Sequence, residues 1–291
     1  MAKILVTGAT GQLGKVVVDE LISNGNTSDI AVLVRDPAKA AHWQAQGVTV
    51  FQGDYNNYPS LVAAFKGMDK LYFISSNSMT GRIAQHAQVV NAAVEAKVGH
   101  VFYTSYHRKT EDGSSPVAAI GNDHLQTEKL LKDAGITYTL LLHALYADVL
   151  PMFLGDKVLE YGMISLPAGA GKAAYATRED LGIAGARLLL GNGHENKSYT
   201  LAANNATSFN ELAAIFTELS GKEVKYVSPT AEAFTAQLVQ AGMPVEYVHL
   251  VTAFAEAIGA GEFDLPDNTL ADILGREPES MKSYVAKAFS L

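Results

Sequence analysis

Three glycines near the start of the chain have the spacing of a phosphate-binding turn. A short apolar run, Ile4 to Val6, stops at Gly8, and Gly11 and Gly14 follow at intervals of three before an apolar helical pattern begins. In such a strand–turn–helix unit the glycines permit a tight turn, close approach of the backbone to a pyrophosphate, and close packing of helix on strand. The unpaired N–H groups of the helix then attract phosphate. The spacing predicts a dinucleotide site, and the alternative is a glycine-rich turn without a ligand.

The first half of the chain alternates between strand and helix patterns. Strands are predicted at 3–7, 30–35, 48–52, 70–75, 100–104 and 137–142. Helices are predicted at 12–23, 38–46, 58–66, 82–97 and 118–134. Repeated strand–helix–strand units imply a parallel sheet with helices on both faces, because the crossovers are right-handed. The predicted fold class is therefore α/β, with a Rossmann-type doubly wound parallel sheet that binds ligands beyond the carboxyl ends of its strands.

After about residue 143 the alternation loosens and helical patterns dominate. We expect helices at 145–160 (with Gly155 as a possible interruption), 178–190, 208–219, 231–241, 245–259 and 279–289, with strands near 197–202 and 223–227. This organisation predicts a dinucleotide-binding domain over residues 1–143. Residues 144–291 are interpreted as a smaller, mostly helical substrate-binding lobe, some segments of which return to the first domain.

Composition excludes several functional classes. The chain has 291 residues, of which 48% are hydrophobic and 18% charged, as in ordinary globular proteins. No apolar run approaches the roughly 20 residues that a membrane span needs, and a strand pattern begins by residue 3, so we expect no signal peptide. A net charge of −8 without a basic tract makes nucleic acid a poor partner. The absence of cysteine excludes disulfides and thiolate catalysis. We expect a soluble cytoplasmic protein.

The end of the second predicted strand favours NADP(H) over NAD(H). An acidic residue at this point would bind the 2′-hydroxyl of the adenosine ribose, whereas this chain has Arg35 there, followed by Asp36 and Pro37. A guanidinium binds phosphate through charge-assisted hydrogen bonds, and Lys39 can add a second positive charge. The alternative is a solvated Arg35–Asp36 ion pair, or Asp36 as the cap of the next helix.

Two further strand ends fit the same cofactor. Asp54 and Tyr55 follow the third strand, where a carboxylate could accept from the adenine amino group, although aspartate is also a common turn residue. Ser75, Ser76 and Asn77 follow the fourth strand, and their small polar side chains would leave room for the cofactor.

The usual proton relay of related folds is missing. The glycine spacing resembles that of the short-chain dehydrogenase/reductase superfamily, whose ordinary members use a Tyr-x-x-x-Lys pair in which lysine lowers the tyrosine pKa. A glutamate commonly follows that lysine by four residues, and Glu128 lies on the expected helix. Counting back from Glu128 places His124 at the lysine position and Ile120 at the tyrosine position. Isoleucine exchanges no proton, so carbonyl reduction by the usual mechanism is disfavoured.

Several segments together resemble one branch of that superfamily. These are Thr7–Gly14, Val34–Lys39, Gly53–Tyr55, Gln85-His86, Tyr103–Ser105, Thr127-Glu128 and Gly193–Lys197. In combination they resemble the NmrA-like atypical short-chain reductases, and within them the bacterial NAD(P)H:quinone oxidoreductase and triphenylmethane reductase group. The similarity extends along nearly the whole chain.

The resemblance implies a function and a set of cofactor contacts. It implies an NADPH-dependent reductase of quinones or cationic dyes, which accept hydride directly and need little acid catalysis beyond positioning. It also implies that Thr10, Gln12, Leu13, Thr104 and Ser105 contact the cofactor, together with the glycines and strand-end residues above. A homodimer is a further expectation at the level of the family.

One segment departs from the family pattern. Where relatives tend to have Leu-Arg-Asn followed three residues later by Tyr, this chain has Leu142 and His143 in place of arginine and asparagine, and retains Tyr146. The stretch borders nicotinamide and substrate in the family, so we predict His143 and Tyr146 as pocket residues. His143 could donate a proton, since histidine titrates near neutral pH. The alternative is a buried histidine bonded to the backbone.

Two more side chains are predicted for the substrate pocket. His86, on the helix after the fourth strand, faces either the cleft or solvent, and Phe153 either walls the pocket or packs in the core. The histidines lack metal-ligand spacing, so we predict no metal.

Two functional hypotheses follow from these residues. The first is an NADPH-dependent reductase of quinones or similar small conjugated electrophiles. The second is a non-catalytic NADP(H)-binding redox sensor, which the missing relay would also fit. A sugar-nucleotide epimerase or dehydratase is disfavoured, because those enzymes need the tyrosine base.

Overall fold

A seven-stranded parallel sheet is the centre of the first of two structural units. The computed structural model describes residues 2–78, 80–155 and 157–291. The first unit contains the residues up to Tyr106 together with Asn122–His143 and Arg178–Leu201. Its strands, in sequence order, are β1 (Ile4–Thr7), β2 (Ile30–Val34), β3 (Thr49–Gln52), β4 (Lys70–Phe73), β5 (His100–Tyr106), β6 (Tyr138–His143) and, after two strands of the second unit, β9 (Lys197–Leu201).

The strand order is that of a doubly wound sheet. Neighbouring strands run β3-β2-β1-β4-β5-β6-β9, all in parallel. The order reverses between β1 and β4, which pair from Ile4 opposite Lys70 to Val6 opposite Tyr72. In such sheets the crevice at this switch point, beyond the carboxyl ends of the strands, is where ligands bind. The predicted Rossmann-type fold is confirmed.

Helices cover this sheet because its central strands are apolar on both faces. Every residue of β1 and β2 is buried, as expected for strands covered on each side. The helices of the unit are α1 (Gln12–Asn24), α2 (Ala41–Gln44), α3 (Tyr58–Phe65), α4 (Arg82–Glu95), α5 (Ala118–Asp133) and α8 (Arg178–Leu190). Two 3-10 turns, Thr27–Asp29 and Pro37–Ala40, flank β2. The first four residues of α5 are assigned to the second unit.

The second unit is mostly helical and contains two small sheets. It comprises His107–Gly121, the described residues of Ala144–Thr177, and Ala202–Leu291. Parallel strands β7 (Met163–Ser165) and β11 (Lys225–Val227) form one sheet, and antiparallel β8 (Lys172–Ala173) and β10 (Thr207–Ser208) form the other. The helices are α6 (Leu150–Leu154), α7 (Val158–Tyr161), α9 (Phe209–Ser220), α10 (Ala231–Gln240), α11 (Val245–Gly259), α12 (Thr269–Leu274) and α13 (Met281–Ala288).

The boundaries differ from a division at residue 143. The loop after β5 joins the second unit, and Arg178–Leu201 supplies a helix and the last strand of the large sheet. The single helix predicted over 145–160 is instead a 3-10 turn at Ala147–Val149 followed by α6 and α7. Gly155 ends α6 with a φ of 73°, a conformation that continues no right-handed helix. Among the described residues, no helix is long and apolar enough to cross a membrane.

Glycines of α8 let this helix pack closely inside the first unit. A Cβ on Gly185 would lie 2.2 Å from the hydroxyl oxygen of Tyr72, a fully buried side chain of β4. A Cβ on Gly182 would lie 2.7 Å from the Cβ of Val16 in α1. The two positions therefore accept no side chain without movement of their neighbours.

Replacement of Gly185 by alanine is expected to destabilise the protein, although alanine has the higher helix propensity. The gain in propensity is about 1 kcal/mol, whereas overpacking of a buried contact costs about 1–3 kcal/mol, so we expect a net loss of up to about 2 kcal/mol. Urea denaturation measures the difference. The double variant Gly185→Ala/Tyr72→Phe removes the closest atom and should recover part of the loss, and simple additivity of the two substitutions would contradict the steric explanation.

Candidate functional site

The glycine-rich turn between β1 and α1 requires glycine at positions 8 and 14. Gly8 has a φ of 61°, which favours glycine, and Gly11 N donates to the Gly8 carbonyl at 3.0 Å. A Cβ on Gly14 would lie 2.3 Å from the Gly8 carbonyl oxygen and 2.8 Å from the Cα of Ala9. The turn brings the start of α1 directly against the end of β1, as the glycine spacing predicts.

The first turn of α1 presents its backbone N–H groups at this turn. Gly11 is the N-cap and, as glycine, has no side chain that could accept from them. The helix starts with Gln12, Leu13 and Gly14, and its first turn contains no acidic residue. Thr10 and Gln12 are exposed, whereas the side chain of Leu13 is buried in the core, so Leu13 offers only its backbone. Uncapped N–H groups and the helix dipole together make an anion-binding site.

Arg35 and Lys39 are exposed cations beyond the end of β2. The Asp36 carboxylate accepts from Ala38 N at 3.0 Å and so caps the 3-10 turn that contains Lys39. Asp36 thus acts as the cap that the sequence allowed, and within the described part of the chain Arg35 forms no ion pair with it. The arginine remains available for an anionic ligand.

Tyr55 joins the ends of three strands. Its hydroxyl lies 2.5 Å from Thr7 Oγ1 and donates to the Ile74 carbonyl at 2.7 Å, and Ile74 N donates to Thr7 Oγ1 at 3.1 Å. Burial raises the Tyr55 pKa, so the phenol stays protonated. Asp54 is half-buried, and its Oδ1 accepts from Asn56 N at 2.8 Å in a local turn. Tyr55 therefore holds the strand ends together, and Thr7 is a member of this cluster that the sequence patterns missed.

The Ser75–Asn77 loop is anchored at each serine. Ser75 N donates to Thr104 Oγ1 at 2.8 Å, so Thr104 holds the loop instead of pointing at open space. Ser76 Oγ donates to Gln85 Oε1 at 2.6 Å, and Ser76 N donates to His86 Nε2 at 2.9 Å. The loop is consequently a fixed edge beside the glycine turn.

His86 has a different role from the pocket role predicted for it. It is fully buried within the first unit, and its Nδ1 lies 2.7 Å from Thr127 Oγ1. Burial, together with the nearby Arg82, lowers its pKa to about 3. Both ring nitrogens are already bonded, so a neutral His86 supports the loop from inside and offers no atom to a substrate.

The helix that would carry a Tyr-x-x-x-Lys pair carries other groups. His124 Nδ1 lies 2.9 Å from the Tyr103 hydroxyl, and Ser105 Oγ donates to the buried carboxylate of Glu128. Burial raises the Tyr103 pKa, so this phenol is no acid or base near neutral pH. Ile120 is half-buried and cannot transfer a proton. The geometry agrees with the predicted absence of the usual relay.

His143 cannot serve as the proton donor that the sequence allowed. It ends β6 and is only 2% exposed. Burial, and secondarily the positive charge of Arg178, lowers its pKa to about 3. A histidine with that pKa is neutral near pH 7 and holds no imidazolium proton to give. The burial of His143 agrees with the alternative of a buried histidine, and a place for it in the pocket stays a prediction.

The other two predicted pocket residues lie in the second unit. Tyr146 is half-buried and pairs with Ala176 as a short parallel bridge, in which Ala147 N donates to the Ala176 carbonyl at 2.9 Å. Phe153 is buried with its ring centroid 5.8 Å from that of Phe254. Phe153 is thus part of an aromatic cluster, and its place in a pocket stays a prediction.

The described residues contain no group of three or more side chains arranged to hold a metal ion. What they do contain is an anion-binding turn, two exposed cations and a rigid polar edge, all around the β1–β4 switch point. This combination suits a phosphorylated dinucleotide.

Comparison with known proteins gives the same result. The NmrA-like family matches residues 1–284. Quinone oxidoreductase 2 of Escherichia coli (strain K12) is 38% identical over 291 residues, and the match covers 99% of each chain.

Two solved structures are similar over almost their entire length. The NADPH-dependent quinone oxidoreductase from Escherichia coli, solved with NADPH, has a TM-score of 0.92 at 37% identity and covers 98% of this chain and 99% of its own. The triphenylmethane reductase of Citrobacter sp., complexed with NADP(H), has a TM-score of 0.90 at 38% identity with the same coverage.

The buried His143 is expected to make the protein less stable in acid. Its pKa falls from about 6.5 in the unfolded chain to about 3 in the native state, so the unfolded state binds the extra proton between these values. Stability is therefore undiminished by this group above about pH 6.5 and falls as pH drops towards about 3. Urea denaturation of His143→Gln should show a pH slope smaller by about 1.4 kcal/mol per pH unit in this window. An unchanged slope would mean that His143 titrates normally.

Proposed function

The chain belongs to the NmrA-like family, and from this we propose that it is an NADPH-dependent oxidoreductase that reduces quinones or similar conjugated electrophiles. The single observation that carries the proposal is the similarity, over nearly the whole chain, to a quinone oxidoreductase solved with NADPH. The triphenylmethane reductase supports the extension to cationic dyes. On this proposal, the substrate of the present chain is a small molecule with an electron-poor conjugated system.

The residues at the switch point fit NADPH. A Cβ on Gly14 would meet the Gly8 carbonyl oxygen, so glycine lets α1 begin directly on the end of β1, and the N–H groups of α1 would hold the pyrophosphate there. Arg35 and Lys39 would hold the 2′-phosphate, and Asp54 the adenine amino group. The bound cofactor supplies the hydride. The protein's part is to bind the cofactor and the acceptor in contact and to exclude water.

The absence of a proton relay narrows the substrate class. The chain places Ile120 and His124 where a tyrosine and a lysine would polarise an unactivated carbonyl. Tyr103 and His143 are too buried, and their pKa values too displaced, to take over that role. A quinone or a triarylmethyl cation is electrophilic enough to accept hydride without it. An unactivated ketone is not.

Two further properties belong to the same proposal. We infer a cytoplasmic location, because a chain without cysteine needs no oxidising compartment. We also expect a homodimer. The redox sensor remains as the outcome in which NADPH binds and no acceptor is reduced.

Turnover is tested with a panel of acceptors. The purified protein with NADPH is expected to reduce benzoquinone or naphthoquinone, or a malachite-green-type dye, and to leave simple ketones and sugars unreduced. Loss of the reduced-nicotinamide absorbance measures the rate. Clear NADPH binding without turnover of any acceptor would contradict the reductase and favour the sensor.

Arg35 is expected to set the preference for NADPH. Arg35→Ala removes a cation that faces the 2′-phosphate and should weaken NADPH by roughly tenfold or more, the scale of one charge-assisted hydrogen bond of about 1.5–3 kcal/mol. NADH should change little. Trp43, the only tryptophan in the chain, lies in the adjacent α2, and energy transfer from it to the reduced nicotinamide reports binding of either cofactor. A matched control is Arg276→Ala in the second unit, and equal weakening of NADPH and NADH by Arg35→Ala would contradict the assignment.

A further inference from the structure

A buried hydrogen-bond chain holds the loop after β4 from inside the protein. Ser76 N donates to His86 Nε2 at 2.9 Å, and His86 Nδ1 lies 2.7 Å from Thr127 Oγ1. The Thr127 hydroxyl donates to the Asp123 carbonyl at 2.8 Å. Because that hydroxyl has one proton, it accepts from His86, which must therefore carry its proton on Nδ1. The chain connects the Ser75–Asn77 loop to α5 through a single histidine tautomer.

The surroundings of His86 fix both its ring plane and its charge. His86 and Thr127 are fully buried. The rings of Phe73 and Tyr103 lie edge-on to the imidazole at 4.9 and 5.8 Å between centroids. Desolvation lowers the histidine pKa to about 3, so Nε2 remains a proton-free acceptor near neutral pH. A protonated ring would leave the Ser76 N–H facing another donor.

The same two helices are joined a second time near the loop. Arg82 at the start of α4 lies 3.7 Å from the Asp123 carboxylate of α5. Asp123 thus meets α4 through its side chain and, through its carbonyl and Thr127, meets His86. These contacts brace the Ser75–Asn77 loop and the start of α4 against α5.

Sheet order determines which half of a dinucleotide meets this loop. The pyrophosphate site lies at β1, and Arg35 marks β2 as the adenosine side. The nicotinamide half must extend the other way from the switch point, over β4 and β5, whose ends are the Ser75–Asn77 loop and Thr104. We propose that His86 is a positioning residue, which holds the Ser76 backbone so that this loop receives the nicotinamide half of NADPH. The inference rests on the proposed use of NADPH.

Two substitutions of His86 separate its two hydrogen bonds. Asparagine places an amide near Nδ1 and keeps the bond to Thr127, but loses the bond to Ser76. Glutamine places an amide near Nε2, keeps an acceptor for Ser76, and loses the bond to Thr127. If His86 acts by holding Ser76, His86→Asn is defective and His86→Gln recovers most of the function.

The test compares NADPH with adenosine 2′,5′-bisphosphate, which lacks the nicotinamide half. For His86→Asn we expect NADPH to bind about tenfold more weakly, the scale of leaving one buried N–H unpaired, and kcat to fall with it. Binding of the bisphosphate should stay within about twofold of the wild type. Arg35→Ala is the matched control, because it should weaken both ligands. A His86→Asn variant that binds both ligands like the wild type, or weakens both equally, would overturn the proposal.

A second pair of variants covers the case in which His86→Asn does not fold. Thr127→Val removes the acceptor that fixes the histidine tautomer, and Thr127→Ser keeps it. We expect Thr127→Val to raise the KM for NADPH and lower kcat, and Thr127→Ser to recover both. A purely structural role would lower the melting temperature of Thr127→Val without these changes in KM and kcat. This test can fail independently of the proposed function. The activity of the wild type is measured first, and the variants are then compared with it by binding as well as by turnover.

Discussion

The contact between the Gly8 carbonyl and the Cα of Gly14 is the constraint on which the site depends. A Cβ at residue 14 would lie 2.3 Å from that carbonyl, so only glycine lets α1 begin directly on the end of β1. This contact aims the open N–H groups of α1 at the switch point, where β1 meets β4. The cations after β2 and the serine loop after β4 could contact one ligand only because the start of this helix lies between them.

Desolvation keeps the buried histidines of this protein neutral. His86 and His143 are buried, and burial disfavours the charged ring enough to lower each pKa to about 3. His100, at the other end of the sheet, is shifted in the same direction to about 4. His86 and His100 then act as neutral hydrogen-bonding groups. Neutral buried histidines agree with the proposed substrates, which accept hydride without an acid.

The sequence was a good guide to elements that follow from periodicity and a poor one to side-chain environment. The parallel sheet, its order of elements and the phosphate turn were predicted, because apolar runs and glycine spacing are local signals. The short strands β7, β8 and β10 and helix α12 were missed, since two- and three-residue pairings depend on distant partners. For His143 the sequence left a proton donor and a buried histidine both open, and the burial of the side chain favours the second. A sequence pattern gives the residue type at a position. Whether that side chain is exposed to solvent depends on tertiary packing.

The two halves of the candidate cofactor site rely on different kinds of interaction. On the adenosine side, exposed Arg35 and Lys39 act by charge, which salt screens and which tolerates side-chain motion. On the side of β4 and β5, Thr104 Oγ1 and His86 Nε2 accept from backbone N–H groups of the serine loop. These buried neutral hydrogen bonds are little affected by salt. Hydride transfer depends on the distance between reacting atoms, and a rigid neutral edge controls distance better than a mobile charge. If the proposed contacts hold, affinity for the phosphates and accuracy at the nicotinamide are separate properties of this fold, carried by residues on opposite sides of the glycine turn.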